Sequence, residues 1–230
     1  MPDTPDALML FAAGLGTRMG ELTKVRPKPL LPLAGRTLID HAFDLVDDIQ
    51  PRTTVVNLHH HGHQIRAHLG ERAGIVFSDE TERLLETGGG LKASLPLMTG
   101  DAVFTLNSDA AWTDRTALSI LANVWRPGEM EALLLLAPLD RCHNRNSPGD
   151  FSIDEKGRLS RGGAMVYTGA QIVTRRPVEN EGEVVFSLNV VWDKMIARGT
   201  LYGAVYPGHW ADVGTAEGLR VAETMLMASQ

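Results

Sequence analysis

The chain has 230 residues, a formal net charge of −6 at pH 7 and a single cysteine, Cys142. This length is enough for one sizeable α/β domain, and the acidic charge argues against general binding to nucleic acid or to anionic lipid. One cysteine excludes an internal disulfide, which is consistent with a reducing compartment. The apolar run at residues 7–13 is too short for a signal sequence or a membrane span, and Asp3 and Asp6 stand where a cationic region would be. A cytoplasmic protein without a membrane partner is therefore expected.

Over residues 1–140, short apolar segments alternate with amphipathic segments, which is typical of parallel strands joined by crossover helices. The predicted strands span residues 7–12, 53–58, 75–78, 102–107 and 132–137. The predicted helices span residues 38–48, 64–69, 89–95 and 116–125, with Asp114 as a possible N-cap of the last. Because such crossovers are right-handed, the expected fold is α/β, a doubly wound and mostly parallel Rossmann-like sheet. Sheets of this kind bind their ligands at the carboxyl ends of the strands.

The pattern changes after Pro138, where the predicted elements are shorter. A hairpin is predicted around the turn at residues 154–157, and further strands span residues 164–167, 171–174 and 201–206. Helices are predicted over residues 188–198 and 216–227, the second with Thr215 as its N-cap. No repeat or linker separates the halves, so a single domain over residues 1–230 is expected. Its halves, residues 1–140 and 141–230, should face each other across a cleft.

The most informative segment follows the first predicted strand and has the sequence Ala12-Ala13-Gly14-Leu15-Gly16-Thr17-Arg18-Met19, with Lys28-Pro29-Leu30 shortly after it. Its glycines let backbone amides approach phosphates, and Arg18 and Lys28 supply two cations. A dinucleotide-binding turn would need a third glycine or alanine where Met19 stands, and a Walker loop would need Gly-Lys-Ser/Thr. An ordinary strand-to-helix connection is the other alternative. A connection of about 25 residues is much longer than usual, however, and long ordered loops are usually functional.

Two distant aspartates are candidate metal ligands. Asp109 follows a strongly apolar predicted strand and should lie at the carboxyl edge of the sheet, although an aspartate there is about as often a turn or cap residue. Asp212 lies in an apolar stretch, where an unpaired carboxylate is costly to bury. Mg²⁺ takes one or two carboxylates and completes its octahedron with phosphate oxygens and water, so Mg²⁺ is the expected cofactor.

The Ala-Gly-x-Gly-Thr-Arg-Met and Lys-Pro-Leu elements, together with Trp-Ala-Asp-Val-Gly-Thr at residues 210–215, resemble the sugar-phosphate nucleotidyltransferase family. The resemblance implies an enzyme that condenses a sugar 1-phosphate with a nucleoside triphosphate and releases pyrophosphate. It also implies that Arg18 and Lys28 are catalytic and that Asp109 and Asp212 hold the metal ion. Ser108 replaces the glycine that is commoner in the family. The remaining nucleotide contacts implied in this part of the chain are Ala13, Gly14, Gly16, Thr17 and Asn107.

The segment Glu86-Thr87-Gly88-Gly89-Gly90 precedes a predicted helix, and its glycines could let a planar base lie against bare backbone. A flexible helix start is the alternative. In the resembling family this segment contacts the base, which implies roles for Gly88 and Gly89, and a nearby acidic or amide side chain accepts the imide hydrogen. Glu82 is the candidate acceptor, and Glu80 and Glu86 compete with it. Pyrimidines and guanine would both use such an acceptor.

The sugar pocket is predicted around residues 143–151, where Pro148 and Gly149 form a turn before a strand. Within the family this segment most resembles uridylyltransferases that act on N-acetylmuramate 1-phosphate in bacterial cell-wall recycling. That resemblance favours UTP and a sugar 1-phosphate as substrates. The implied sugar contacts are Gly149, Asp150, Thr168 and Asn189. Two alternatives remain, namely a guanylyl- or cytidylyltransferase for a mannose- or heptose-type phosphate and a regulatory nucleotide-binding subunit without catalysis.

The cluster of histidines at residues 59–63 does not predict a zinc site. Adjacent histidines on an extended segment face opposite sides, and no cysteine or carboxylate follows at ligand spacing.

Overall fold

The computed structural model of the protein describes residues 4–145 and 148–229. Its strands are β1 Ala7–Phe11, β2 Pro32–Leu33, β3 Arg36–Thr37, β4 Thr53–Leu58, β5 Ile75–Asp79, β6 Ala102–Asn107, β7 Ala110–Trp112, β8 Ala132–Pro138, β9 Cys142–His143, β10 Phe151–Ile153, β11 Leu159–Arg161, β12 Met165–Thr174, β13 Leu201–Val205 and β14 Trp210–Asp212. Its α-helices are α1 Leu38–Ile49, α2 Gly62–Leu69, α3 Glu86–Ser94, α4 Ala117–Val124, α5 Arg175–Glu179, α6 Leu188–Arg198 and α7 Ala216–Ala228. Within these residues, no helix is long and apolar enough to span a membrane.

One large sheet joins strands from both halves of the chain. Strands β5, β4, β1 and β6 pair in parallel, and β12 then pairs antiparallel to β6 and to β8. Strand β13 adds to β8 in parallel, and the β10–β11 hairpin joins the start of β12. Because β12 is antiparallel to both of its long neighbours, β6 and β8 run in the same direction. The carboxyl ends of these strands therefore lie along one edge of the sheet.

The central strands are continuous apolar runs because the sheet is covered on both faces. Every residue of β8 from Ala132 to Ala137 is fully buried, as is typical of a strand with helices on both sides. On one face, Phe43 of α1, Ile65 of α2 and Leu118 of α4 belong to one apolar cluster. On the other face, Leu91 of α3 and Val191 of α6 belong to a second cluster. The sheet is therefore doubly wound.

A smaller sheet lies beside the carboxyl edge of the large one. It has the order β7–β14–β9, and α7 covers it. Val213, Ala222 and Met225 form a third apolar cluster with Met19 and Leu31, which belong to the long segment after β1. Helix α7 thereby ties the end of the described chain to the glycine-containing loop near its beginning.

The expected fold class is confirmed by this arrangement, and most predicted elements agree with the structure to within three residues. The separate strands predicted at residues 164–167 and 171–174 are one strand, β12, whose pairing with β8 shifts register between Tyr167 and Gln171. Helix α4 begins after Thr116, and Asp114 accepts hydrogen bonds from the Thr116 amide and hydroxyl instead of acting as its N-cap. Thr215 caps α7 as predicted and accepts from the Gly218 amide.

Candidate active site

Two adjoining cavities lie at the carboxyl edge of the sheet. The first has a volume of about 220 Å³ and the second about 300 Å³. Asn107 and Asp109, at the end of β6, line both cavities, so the two form one cleft. The first cavity is lined by Phe11, Ala12, Ala13, Gly14, Lys28, Pro29, Asn57, Glu80, Leu84, Glu86, Thr87, Asn107, Ser108 and Asp109. The second is lined by Arg18, Asn107, Asp109, Ala110, Arg145, Asp150, Phe151, Arg161, Tyr167, Thr168, Gly169, Asn189, Trp192, Trp210 and Asp212.

A buried polar network holds the end of β1 against the first cavity. The Asn57 Oδ1 accepts hydrogen bonds from the amides of Ala12 and Ala13, at 2.7 and 3.3 Å. The Asn57 Nδ2 donates to Glu80 Oε1 at 2.7 Å, and Glu80 Oε2 accepts from the Leu85 amide at 3.1 Å. Asn57 and Glu80 are both almost completely buried. Because buried polar groups of this kind need all their partners, the network fixes the backbone on both sides of the cavity.

Glu80 and Glu86 line the first cavity, whereas Glu82 is exposed and lies outside it. Glu82 is the candidate expected from the sequence, and the structure places it outside the cavity that Glu80 and Glu86 line. Glu80 was an open alternative because spacing alone did not separate the three glutamates. The buried strand end and the contact with Asn57 distinguish it, and both depend on tertiary structure.

The three glycines at the start of α3 serve close backbone packing. A Cβ on Gly88 would lie 2.3 Å from the Phe186 ring, and one on Gly89 would lie 2.2 Å from the Val184 carbonyl oxygen. Neither glycine lines a cavity, although both were expected at the base. Gly90 lies close to the first cavity, because a Cβ added to it would lie 2.6 Å from Oε1 of Glu80, which lines that cavity.

One part of the glycine loop lines the cleft and another part does not. Ala13 and Gly14 line the first cavity, while Gly16 and Thr17 lie outside both cavities at the start of a 3-10 turn over Thr17–Thr23. Gly16 has a φ of +62° and faces the Thr23 side chain, whose hydroxyl donates to the Gly16 carbonyl at 3.0 Å. This left-handed turn favours glycine because it has no Cβ. Gly16 therefore determines the conformation of the loop and does not line the cleft.

Lys28 lies at the wall of the first cavity with its side chain almost fully buried. Its Nζ forms an ion pair with Asp109 Oδ2 at 2.6 Å. Lys28 begins a 3-10 turn whose residues are all buried, which fixes the stem of the side chain. The pair places one cation and one carboxylate where the two cavities meet.

The two predicted metal ligands are neighbours in the structure. Asp212 is directly opposite Ala110 in the antiparallel β7–β14 pair, and the Val213 amide donates to the Asp109 carbonyl at 3.2 Å. The Asp212 carbonyl in turn accepts from Asn144 Nδ2 at 2.8 Å. Both aspartates line the second cavity. The small sheet therefore brings together two carboxylates that are about a hundred residues apart in sequence.

Arg18 also reaches this point, although its side chain starts on the glycine loop. Its guanidinium lies against the backbone of Gly214, where a Cβ would be 2.7 Å from Nη2 and 2.9 Å from Cζ. Gly214 belongs to the same segment as Asp212. The arginine thus lines the second cavity on the side where the aspartates lie.

Ser108, which replaces a glycine common in the family, has a structural role at this strand end. Its hydroxyl donates to the Phe11 carbonyl at 2.7 Å and joins the ends of β1 and β6. Asn107 packs against Gly169, whose φ of +89° and missing Cβ permit the contact.

Asp150 and Asn189 line the second cavity as expected, and so does Thr168. Asp150 Oδ2 accepts from the Tyr167 amide at 2.9 Å. The Thr168 hydroxyl donates to the Leu135 carbonyl at 2.7 Å, so its hydrogen is already used. Gly149 lies outside the cavity and lets the chain approach the backbone of Gly163.

Two arginines of the second cavity were missed by the sequence analysis. Arg145 pairs with Asp150, and Arg161 donates to Asp193 at 2.8 Å while its guanidinium lies 4.9 Å from the centre of the Phe151 ring. Neither belongs to a recognisable motif. The unusual density of charged residues near Pro148 was the available indication for Arg145.

Two titratable groups near the small sheet, Cys142 and Tyr206, are not suited to nucleophilic catalysis. Burial raises the pKa of the Cys142 thiol to about 11 and that of the Tyr206 phenol to about 12, so both stay neutral at pH 7. Burial, and then the neighbouring His209, lower the pKa of His143. Among the described residues, no three His, Cys, Asp or Glu side chains form a cluster able to hold a metal ion, the histidines at 59–63 included.

Comparison with known proteins identifies the family. The MobA-like NTP transferase domain matches residues 8–144, which contain the glycine loop, Lys28 and Asp109. The chain belongs to this nucleotidyltransferase family. N-acetylmuramate alpha-1-phosphate uridylyltransferase of Caulobacter vibrioides is 35% identical across 98% of this chain and 99% of its own length. A protein of the same name from Neisseria meningitidis is 30% identical across 94% of this chain and 96% of its own length. These relatives confirm the resemblance that was expected from the motifs.

Solved structures share the fold of this nucleotidyltransferase. The inositol-1-phosphate CTP transferase from T. maritima superposes with a TM-score of 0.77 at 18% identity, over 98% of this chain and 96% of that one. HddC from Yersinia pseudotuberculosis superposes with a TM-score of 0.73 at 17% identity, over 95% of this chain and 98% of that one. At these identities the likeness concerns the fold alone.

Proposed function

We propose that the chain transfers a uridylyl group from UTP to N-acetylmuramate 1-phosphate and releases pyrophosphate. The names of the two relatives that match nearly the full chain support this substrate pair. One structural observation carries the proposal. Asn107 and Asp109 line both cavities, so a nucleotide in the first and a sugar phosphate in the second would meet at the same carboxylate.

The proposed nucleotide site uses residues of the first half of the chain. The amides after β1 are held by Asn57, and the loop after β5 is held by Glu80, so both walls around a base are fixed before a ligand binds. Pre-organised groups of this kind lower the entropic cost of binding. Glu80 is the buried carboxylate that lines the first cavity, and we assign the recognition of the base to it.

Mg²⁺ fits the donor set at Asp109 and Asp212. Asp109 Oδ2 is bound to Lys28, while Oδ1 and the Asp212 carboxylate form no hydrogen bond to any described residue. Two carboxylates without a third protein ligand suit an ion that also binds phosphate oxygens and water. When bound, the ion would neutralise charge on the reacting phosphates.

Positioning and charge neutralisation account for the rest of the proposed mechanism. A sugar 1-phosphate is already anionic, so attack of its oxygen on the α-phosphorus of the nucleotide needs no general base. Lys28 lines the first cavity, Arg18 lines the second and Asp109 lines both, so the two cations would neutralise the phosphates as pyrophosphate leaves. Residues 1–140 would thus bind mainly the nucleotide and residues 141–230 mainly the sugar. N-acetylmuramate is a cell-wall sugar, so the proposed reaction belongs to its cytoplasmic recycling.

A crossed assay tests the proposal. Pyrophosphate release is measured with each of four nucleoside triphosphates and with N-acetylmuramate, mannose and heptose 1-phosphates, in the presence of Mg²⁺. We expect the highest kcat/KM for UTP with N-acetylmuramate 1-phosphate, and a loss of most turnover in Asp109→Asn and Asp212→Asn. Preference for GTP or CTP would assign another sugar phosphate. Nucleotide binding without turnover for any pair would indicate a regulatory subunit.

A further inference from the structure

The second cavity is lined by three arginines and three aspartates. Arg18 lies against Gly214, two residues after Asp212, where the reacting phosphates would be placed. Arg145 and Arg161 also line the cavity, together with Asp150 and Trp192. A neutral sugar is bound by hydroxyl and amide groups and needs no cation beyond those at its phosphate. Arg145 and Arg161 are therefore the two side chains to consider for a second negative charge on the substrate.

Arg145 is held by the protein, but not all of its donors form hydrogen bonds. Its Nη2 donates to Asp150 Oδ1, and the other oxygen of Asp150 accepts from the Tyr167 amide. Its Nε is buried and finds no partner among the described residues. Arg145 lines the cavity, and its Nη1 forms no hydrogen bond to a described residue. A guanidinium that lines a cavity and has a donor without a partner is suited to a carboxylate.

Arg161 is less suited to that role. Its Nε donates to Asp193 and its Nη2 to the Asn189 carbonyl, and its plane lies near the rings of Phe151 and Trp192. This guanidinium is thus part of the cavity wall, where stacking and two hydrogen bonds to the protein hold it.

We infer that Arg145 is a specificity-determining residue that binds a carboxylate carried by the sugar, which makes the preferred acceptor an acidic sugar 1-phosphate. This inference rests on the proposed function and deepens it. N-acetylmuramate is N-acetylglucosamine with an added lactyl ether, so the two sugars differ by one group that bears a carboxylate. Arg145 binds that carboxylate, and Asp150 positions Arg145 for it.

The test compares N-acetylmuramate 1-phosphate with N-acetylglucosamine 1-phosphate at saturating UTP, in the intact protein and in Arg145→Met. The measured quantity is the ratio of kcat/KM for the two sugar phosphates. A charge-assisted hydrogen bond predicts that Arg145→Met lowers this ratio about 10- to 100-fold. Arg145→Lys keeps the charge without the planar fork and should lower it less. Arg161→Met is the matched control and should change the ratio less than threefold, by our order-of-magnitude expectation for a side chain outside the contact.

Three results would overturn the inference. An unchanged ratio in Arg145→Met would show that this arginine does not recognise the carboxylate, and a larger fall in Arg161→Met would move the role to that residue. Equal kcat/KM for the two sugars in the unmodified protein would remove carboxylate recognition while leaving uridylyl transfer intact. Absence of pyrophosphate release with either sugar would instead refute the proposed function. UTP binding by Arg145→Met, measured by calorimetry, shows that the variant is folded.

Discussion

Lys28 is a lysine whose side chain is almost entirely withdrawn from water and whose ammonium forms an ion pair with Asp109. A buried charge is costly to retain, because the loss of hydration is only partly offset by the partner. Asp109 is itself partly exposed on the cleft side, so the pair contributes little to folding. In the proposed mechanism the pair has a functional role, since it keeps one cation fixed where phosphate oxygens would bind.

Replacement of this cation should therefore reduce catalysis more than stability. Lys28→Met keeps the length and the apolar stem of the side chain but removes its charge, and we expect kcat to fall about 10²- to 10³-fold. Lys24→Met is the matched control, because Lys24 lies on the same loop, is exposed and pairs with Glu21 at the surface. Steady-state kinetics and thermal unfolding of both variants provide the measurement. Retention of more than half of kcat in Lys28→Met would contradict the assigned role.

Glu80 and Glu82 allow a second comparison, between a buried glutamate and an exposed one. The two oxygens of Glu80 accept from Asn57 Nδ2 and from the Leu85 amide, so a glutamine in its place would turn one donor toward another donor. We expect Glu80→Gln to lower the free energy of unfolding by about 1–3 kcal/mol and to raise the KM for UTP about tenfold. Glu82→Gln changes an exposed carboxylate outside the cavity and should leave both quantities nearly unchanged. Denaturant titration and UTP kinetics compare the two. Equal effects of the two substitutions would show that Glu82 shares the role.

At the scale of elements, the short sheet β7–β14–β9 brings the site together. It places Asp212 beside the end of β6 and presents the backbone of Gly214 to the Arg18 guanidinium. Helix α7, capped by Thr215, packs on this sheet and on Met19 of the glycine loop. These contacts connect the Trp-x-Asp-Val-Gly-Thr segment to the loop by packing.

A methyl group on Gly214 tests that connection. In Gly214→Ala, the Cβ would overlap the Arg18 guanidinium, which is exposed and flexible enough to move away. We expect kcat to fall about 10- to 100-fold, as in Arg18→Met, with little change in Tm. Gly182→Ala is the control, because a Cβ there would meet nothing within 4 Å. Full activity of Gly214→Ala would show that the position of Arg18 is not critical.

Helix α3 illustrates the opposite case, in which glycines serve stability. The amides of Gly88 and Gly89 donate to the Phe186 carbonyl, and a Cβ on Gly89 would overlap the Val184 carbonyl oxygen. Backbone on both sides of the contact must shift to admit a methyl group. We expect Gly89→Ala to lower the free energy of unfolding by about 1–3 kcal/mol, measured by denaturant titration against Gly182→Ala. A loss of UTP affinity with no loss of stability would instead place Gly89 at the base.

At the scale of the whole molecule, the parts predicted best from sequence are those with strong periodicity. Strands β4 and β6 and helix α6 have the bounds that were expected, because each is a clear apolar or amphipathic run between turn residues. The irregular pairing between Tyr167 and Gln171 interrupts alternation, so β12 was divided into two predicted strands. The two-residue strand β9 and the five-residue helix α5 are too short to show a period.

The candidate site was predictable where it follows strand ends or motifs. Asp109 follows β6, and Asp212 and Lys28 lie in segments with recognisable spacing. Asn57 and Glu80 acquire their roles from contacts between separate crossovers, and Arg145 acquires its role from Asp150 and the shape of the cavity. Sequence spacing contains no information about such contacts.

The most direct test of the central claim is to follow the oxygens of the sugar phosphate. The cleft is proposed to bring a sugar 1-phosphate oxygen to the α-phosphorus of UTP, beside Asp109 and Asp212. With ¹⁸O in the non-bridging oxygens of N-acetylmuramate 1-phosphate, mass spectrometry and ³¹P NMR locate the label after turnover with unlabelled UTP. The proposal predicts that all of the label remains in the uridine diphosphate sugar, with one labelled oxygen in its phosphate–phosphate bridge, and that the released pyrophosphate is unlabelled. Label in pyrophosphate, or release of inorganic phosphate in its place, would contradict it.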